Sequence, residues 1–212
     1  MKDNFFYKYN IIRLANNYIG EMYKLLPEKK IGNYSIIHKK LNKKDLQYEY
    51  DRVRLSFNFK DYLKSPEGIY TFLFEEDEIW MNDMRNEIIT NLHFLYEAKG
   101  DILILGLGLG TIPLILLDIN KKYNNISSIT VIEKQEEVIS LLKPLELKRH
   151  IEVINADVFK YNPYKIFDVI YSDIHADLTD ETDKQDNILE EKYTKYLKPK
   201  GKFLKWKQRI NL

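Results

Sequence analysis

Gly106, Gly108 and Gly110 stand between two apolar runs, Ile102 to Leu105 and Thr111 to Leu117. A buried strand that feeds a glycine-lined turn and then a helix is how a parallel sheet meets a nucleotide-like ligand. Without a Cβ the backbone can turn sharply and a ligand can approach it closely. Three acids follow at comparable places. Glu133 closes Val131-Ile132-Glu133, Asp157 lies in Asn155-Ala156-Asp157-Val158, and Asp173 follows Tyr171-Ser172. A carboxylate at the end of the second strand can accept hydrogen bonds from both hydroxyls of a ribose, which suits Glu133. The plainer alternative for Glu133 is a solvated anion at a helix start. Asp157 can accept from an exocyclic amine of adenine while the Val158 N–H donates to the ring; the alternative is an ordinary turn aspartate. Asp173, at the mouth of such a site, can face a sulfonium or an amine, or act as a base. Its alternative is a loop or cap residue.

These residues converge only if the intervening elements bring them to one edge. From Asp101 onward the pattern alternates strand and helix, with strands at 102–105, 129–133, 151–155, 168–172 and 202–206 and helices at about 111–122, 135–142 and 180–197. That alternation predicts the α/β class with a doubly wound, mostly parallel sheet. Ligands of such sheets bind beyond the carboxyl ends of the strands, which is where all three acids fall. Thr182 with Gln185 reads as a capping box for the last helix. The cations between Lys192 and Arg209 read chiefly as helix-dipole partners and as the outer face of an edge strand, with anion binding as the alternative.

Ahead of this lies a smaller unit. Apolar residues recur at helical spacing over residues 5–26, and Pro27 and Gly32 end the run. Val53, Leu55, Phe57 and Phe59 alternate with polar residues as in a one-sided strand, and residues 69–81 read as a hairpin with an acidic turn. Residues 84–98 return to helical spacing, with Asn82 or Asp83 as N-cap and Lys99-Gly100 as the stop. The expected division is residues 1–80, a helix with a small antiparallel sheet, and residues 81–212, the ligand-binding domain.

Composition sets the limits. The 212 residues include 44% apolar and 31% charged side chains, as in a globular protein, and the formal net charge is +1. Such a balance gives no electrostatic case for a large nucleic-acid partner, although a local basic patch stays open. With no cysteine, disulfides, thiolate metal sites and cysteine nucleophiles are excluded. The four histidines lack metal-ligand spacing. The apolar stretch from Ile102 to Leu117 is short of the roughly 20 residues a bilayer needs, and the N-terminus lacks the apolar core of a secretory signal. A cytoplasmic protein with no membrane partner is expected.

Two cofactor classes compete for the glycine turn. A dinucleotide turn, Gly-x-Gly-x-x-Gly, needs its third glycine at position 111, where this chain has Thr111; the third glycine comes one residue early, at Gly110. An adenosyl-sulfonium ligand carries no pyrophosphate and needs no anion cradle. Leu197-Lys198-Pro199-Lys200-Gly201 before the fifth strand points the same way.

With these five pieces in order, residues 80 to 208 resemble the class I S-adenosylmethionine-dependent methyltransferases. The resemblance implies a Rossmann-like fold. It places the methionyl adenosine at Gly106, Gly108 and Gly110, the ribose at Glu133 and the adenine at Asp157, and the catalytic acid that spermidine-synthase-like members carry after the fourth strand matches Asp173. The front of the chain is similar to the spermidine-synthase-like branch, its short phage-type members in particular, which share Met81-Asn82-Asp83. That branch carries an acid where this chain has Leu109, and a second acid where it has Ala176. Methyl transfer to a small-molecule acceptor is therefore the expected activity. Aminopropyl transfer from the decarboxylated cofactor and a non-catalytic adenosyl-binding protein are the alternatives. The family sheet normally continues past its fifth strand, whereas this sequence stops soon after it. The expectation is a sheet truncated there, its edge covered by the N-terminal region or by a second copy in a homodimer.

Overall fold

A computed structural model describes residues 2–47, 64–176 and 179–206. The chain opens with α1 (Lys2–Asn16) and a single 3-10 turn (Met22–Lys24), then forms β1 (Lys29–Ile31), β2 (Tyr34–Leu41), β3 (Gly68–Glu75) and β4 (Glu78–Asn82). The helical run expected over residues 5–26 therefore ends ten residues early. Beyond Asn16 the backbone leaves the helix so that Gly20 and Met22 can bond to Asp83.

The four strands make one antiparallel sheet in the order β1-β2-β3-β4. Residues 69–81 do form the expected hairpin, with Glu75 paired to Glu78 across Glu76-Asp77. The first hairpin was not expected. Ile31 pairs with Tyr34 across Gly32-Asn33, and Gly32 has φ 57. A Gly-Asn pair between two short apolar runs is a recognised hairpin signal, but Lys29, Lys30, Lys39 and Lys40 mask the alternation around it. The expected strand from Val53 to Phe59 lies outside the described residues.

The expected helix over residues 84–98 is broken into α2 (Arg85–Ile89) and α3 (Leu92–Glu97). Met84, not Asn82 or Asp83, occupies the N-cap of α2, while Asn82 Oδ1 accepts from the Met84 N–H at 2.9 Å. The break places Asn91, fully buried, where it accepts a hydrogen bond from the Tyr171 hydroxyl. Phe94 then stacks on the Tyr171 ring at 4.1 Å.

The rest is an α/β unit: β5 (Gly100–Leu105), α4 (Thr111–Tyr123), β6 (Ile126–Glu133), α5 (Glu136–Leu141), β7 (Glu152–Asn155), β8 (Phe167–Ser172), α6 (Asp180–Thr194) and β9 (Leu197–Lys205). Its strands are all parallel, in the order β7-β6-β5-β8-β9. Alternation along each strand feeds two faces. Ile102, Ile104, Val131 and Tyr171 join the core under α1, α3, α4 and α5, whereas Leu103, Leu105, Ile132 and Ile170 join Leu189 and Tyr193 of α6. Ile11, Met22, Tyr34 and Leu73 belong to the first of these cores, so the N-terminal unit and the parallel sheet share one interior.

Two boundaries in the last third moved. α6 ends at Thr194, and its capping box is Thr179 with Thr182, since Asp180 opens the helix and Thr182 is its third residue. β9 begins at Leu197 instead of 202 because the Pro199-Lys200-Gly201 segment is absorbed as an irregularity in the pairing with β8. Three described lysines of the basic run are in ion pairs. Lys198 bridges Asp101 and Asp168 at 2.6 and 2.7 Å, Lys202 meets Glu97, and Lys205 meets Glu190. The Lys198 ammonium and the Ser128 hydroxyl hold the Asp101 carboxyl below its ordinary value. No helix among the described residues is long and apolar enough to cross a membrane.

Asp83 fastens the two units together. Its carboxylate, 0% exposed, accepts from Met22 N–H at 3.0 Å and Thr71 N–H at 2.7 Å, and its carbonyl accepts from Gly20. Burial outweighs these bonds and pushes its pKa from 3.8 up to about 6. Between those values the folded protein holds a proton that the unfolded chain has lost, so stability falls as pH rises through that window. Wild-type protein should lose about 2 kcal/mol between pH 4 and pH 6 that an Asp83→Asn variant does not lose. Urea titrations of both proteins across that range check this, and parallel pH profiles would rule it out.

Candidate ligand-binding site

The glycine turn is held by hydrogen bonds from every side. Gly106 N–H donates to the Ile132 carbonyl at 2.9 Å and Leu107 N–H to Glu133 Oε2 at 3.0 Å. Leu109 N–H donates to the Met81 thioether at 3.2 Å, and Gly110 N–H to the Leu107 carbonyl at 2.9 Å. Two of the glycines are sterically required. Gly106 has φ 99, and a Cβ there would lie 2.2 Å from the Asp173 carbonyl oxygen; Gly108 has φ 52, and a Cβ there would lie 2.1 Å from Met81 Sδ. Gly110, also left-handed, is the N-cap of α4, and the Leu109 side chain before it is fully buried.

Beyond the turn opens a cavity of about 230 Å³ lined by Gly106, Gly108, Glu133, Asp157, Val158 and Asp173. Every expected site residue is thus brought to one place except Gly110, which faces Leu142, Leu145 and Leu147 instead. Its part is to start α4.

Glu133, at the last position of β6, accepts from the Leu107 N–H and, through Oε1, from the Gln135 N–H at 2.7 Å. Burial raises its pKa against the pull of those donors. The residue also lines the cavity, where its carboxylate can accept from a ligand hydroxyl. Asp157 Oδ1 accepts from the Phe159 N–H at 2.9 Å, a turn bond, while the residue still lines the cavity. The Val158 carbonyl is taken by the Tyr193 hydroxyl at 2.8 Å and the Lys192 ammonium at 3.0 Å. The Val158 N–H has no partner among the described residues. Asp173 is anchored by its N–H to the Leu105 carbonyl at 2.9 Å.

A further part of the lining comes from the antiparallel sheet and α2: Tyr34, Leu73, Glu75, Trp80, Met81 and Glu87. Of these, Trp80 is the one whose sequence suggests a place in a cofactor pocket, with packing in the hairpin as the plainer expectation. Tyr34 donates to Glu75 Oε1 at 2.6 Å, and its own pKa is raised by burial and by that carboxylate. Glu75 read simply as part of an acidic turn, and no local pattern distinguishes it from Glu76 or Glu78. His175 is the one histidine of the four that lines the cavity.

The electrostatics are lopsided. Glu75, Glu87, Glu133, Asp157 and Asp173 face the cavity against a single lysine, Lys134. Four of the five N–H groups from Gly106 to Gly110 are already used inside the protein. A pyrophosphate needs free backbone donors and a positive field. The turn leaves a single such donor, at Gly108, in a field set mainly by carboxylates, and is suited to a cationic or neutral ligand.

No family model matches the chain, and no curated protein does. Among solved structures it is similar to the "DhpI-SAM-HEP complex" with 19% identity and a TM-score of 0.42, over 54% of this chain and 50% of that one. It is similar to the glycopeptide N-methyltransferase MtfA complexed with S-adenosyl-L-methionine, also with 19% identity and a TM-score of 0.42, over 55% and 48%. An S-adenosylmethionine-dependent methyltransferase from Clostridium acetobutylicum gives 18% identity and a TM-score of 0.38, over 55% and 46%. The chain spans about half the length of these neighbours.

The glycine contacts separate two effects. Gly108→Ala should destabilise the protein by about 2 kcal/mol or more, from a left-handed alanine and the collision with Met81. Adding Met81→Ala should return part of that loss, because the far end of a side chain is the obstacle. Gly106→Ala should find no such rescue, because backbone is the obstacle. Denaturant midpoints for the single and double variants measure the coupling, and strict additivity of Gly108→Ala with Met81→Ala would contradict the contact.

Proposed function

We propose that the protein is an S-adenosylmethionine-dependent methyltransferase acting on a small-molecule acceptor. The observation that carries this reading is the glycine turn, four of whose five backbone donors are spent internally, set in a cavity rimmed by five carboxylates and one lysine. A dinucleotide would bring two phosphates into that field. A sulfonium brings a positive charge. When bound, the ligand supplies a methyl carbon made electrophilic by the adjacent positive sulfur.

The chain's own residues then bind and orient. Gly106 and Gly108 let the methionyl adenosine lie against the turn. Glu133 accepts the ribose hydroxyls through its remaining lone pairs, and Asp157 with the Val158 N–H reads the adenine edge. Asp173, at the end of β8, faces the sulfonium and orients the acceptor. Such a displacement depends mainly on alignment and on excluding water. Trp80 and Met81, from the antiparallel sheet, close that side of the cavity. Aminopropyl transfer fits less well, because the turn position that would carry an acid is the buried Leu109 and the second acid is replaced by Ala176.

Calorimetry tests the reading directly. The full chain should bind S-adenosylmethionine and not NAD. Glu133→Gln should weaken that binding by roughly 10- to 100-fold, the worth of a hydrogen-bonded charged acceptor. A folded wild-type protein that binds NAD, or neither ligand, would overturn it.

A further inference from the structure

We propose that His175, backed by Asp186, is the base that takes the proton from the acceptor, and that the acceptor is a protic nucleophile, neutral or cationic, on a flat apolar body. This rests on the methyl-transfer reading above and adds to it the residue and the substrate class.

His175 lies two residues beyond Asp173, past the carboxyl end of β8, and lines the same cavity. Its side chain is only 8% exposed, and its Nε2 is buried 3.5 Å from Asp186 Oδ1 without a formed hydrogen bond. Asp186, on the first half of α6 and 7% exposed, accepts from the Ser172 hydroxyl at 2.8 Å. Ser172, Asp186 and His175 therefore form a buried polar chain that ends on an imidazole at the cavity wall. A buried imidazole nitrogen left without a hydrogen bond is costly. A small ring movement that brings Nε2–H onto Asp186 satisfies it and leaves the Nδ1 lone pair for the acceptor. An aspartate behind an imidazole fixes its tautomer and stabilises the imidazolium that forms.

The remaining charged groups on this cavity argue for the same division of labour. Glu75 on β3, Glu87 on α2, Glu133 on β6, Asp157 after β7 and Asp173 after β8 are carboxyl groups, and Lys134 is the single cation. Carboxylates orient and hold positive charge but are weak bases toward a hydroxyl, whereas imidazole is matched to neutral pH. The carboxylates also repel an anionic acceptor. Tyr34 and Trp80 offer it aromatic surface. In the reaction the attacking atom's lone pair bonds to the methyl carbon of the sulfonium donor. The carbon–sulfur bond breaks with its electron pair going to sulfur, and the attacking atom's proton passes to His175 Nδ1 and later to solvent.

Tyramine and 4-methylphenol serve as probes, since both offer a phenolic hydroxyl on a flat ring, tyramine as a cation through its side-chain ammonium, and fragmentation of the product shows which atom was methylated. With saturating S-adenosylmethionine, wild-type protein should methylate at least one of them. His175→Gln should lower kcat by about 100-fold or more while calorimetry shows donor affinity unchanged. Long-range ¹H–¹⁵N spectra of the full chain should show His175 as the Nε2–H tautomer, lost in Asp186→Asn. Wild-type kcat in His175→Gln, or an Nδ1–H tautomer in the wild type, overturns the base. A wild type that binds donor but methylates neither probe overturns the acceptor class and leaves the methyltransferase reading standing. A wild type that binds no donor brings down both.

Discussion

Five residues, Gly106 to Gly110, carry a constraint on which the rest of the molecule depends. Their backbone passes so close to Asp173 on one side and Met81 on the other that no side chain fits at Gly106 or Gly108. Within this turn the ends of β5, β6 and β8 and the last strand of the antiparallel sheet are all in contact. The hydrogen bonds follow from the crowding. Ile132, Glu133 and Met81 each accept from the turn, because a buried N–H without a partner would cost about 1–3 kcal/mol. A turn satisfied in this way is rigid before any ligand arrives, so binding need not pay to order it.

Buried ionisable groups mark the places where the fold accepts an energetic cost for geometry. Asp83 is held by backbone N–H groups alone and is pushed up toward pH 6; its role is to join the chain after α1 to β3 beside the cavity. Asp186 is held by Ser172 and lies next to His175. The cluster of Lys198, Asp101 and Asp168 sits at the opposite end of the sheet and ties β5, β8 and β9 together. That cluster takes Lys198 out of the basic run that composition alone leaves open to anion binding.

Much of the α/β unit could be read in advance, because its strands are short apolar runs bounded by glycine, asparagine and acids, and each was placed to within about five residues. The misses have identifiable causes. The break at Thr90-Asn91 is set by Tyr171, which is 80 positions away in sequence. The 3-10 turn at Met22 is set by Asp83, and the hairpin over Gly32-Asn33 is hidden by lysines that decorate its open face. Tertiary bonds decided these places against local periodicity.

The sequence by itself determined the parallel sheet, the glycine turn and the carboxylates at the strand ends, since strand period, chain direction and glycine's freedom are local properties. It also narrowed the turn, through Gly110 standing where a dinucleotide motif has no glycine. Only the tertiary structure decided that Tyr34, Glu75, Trp80 and Glu87 complete the cavity, that four of the turn's five donors are consumed, and that His175 is backed by Asp186. Those facts depend on which strand packs over which loop, and no spacing along the chain encodes that.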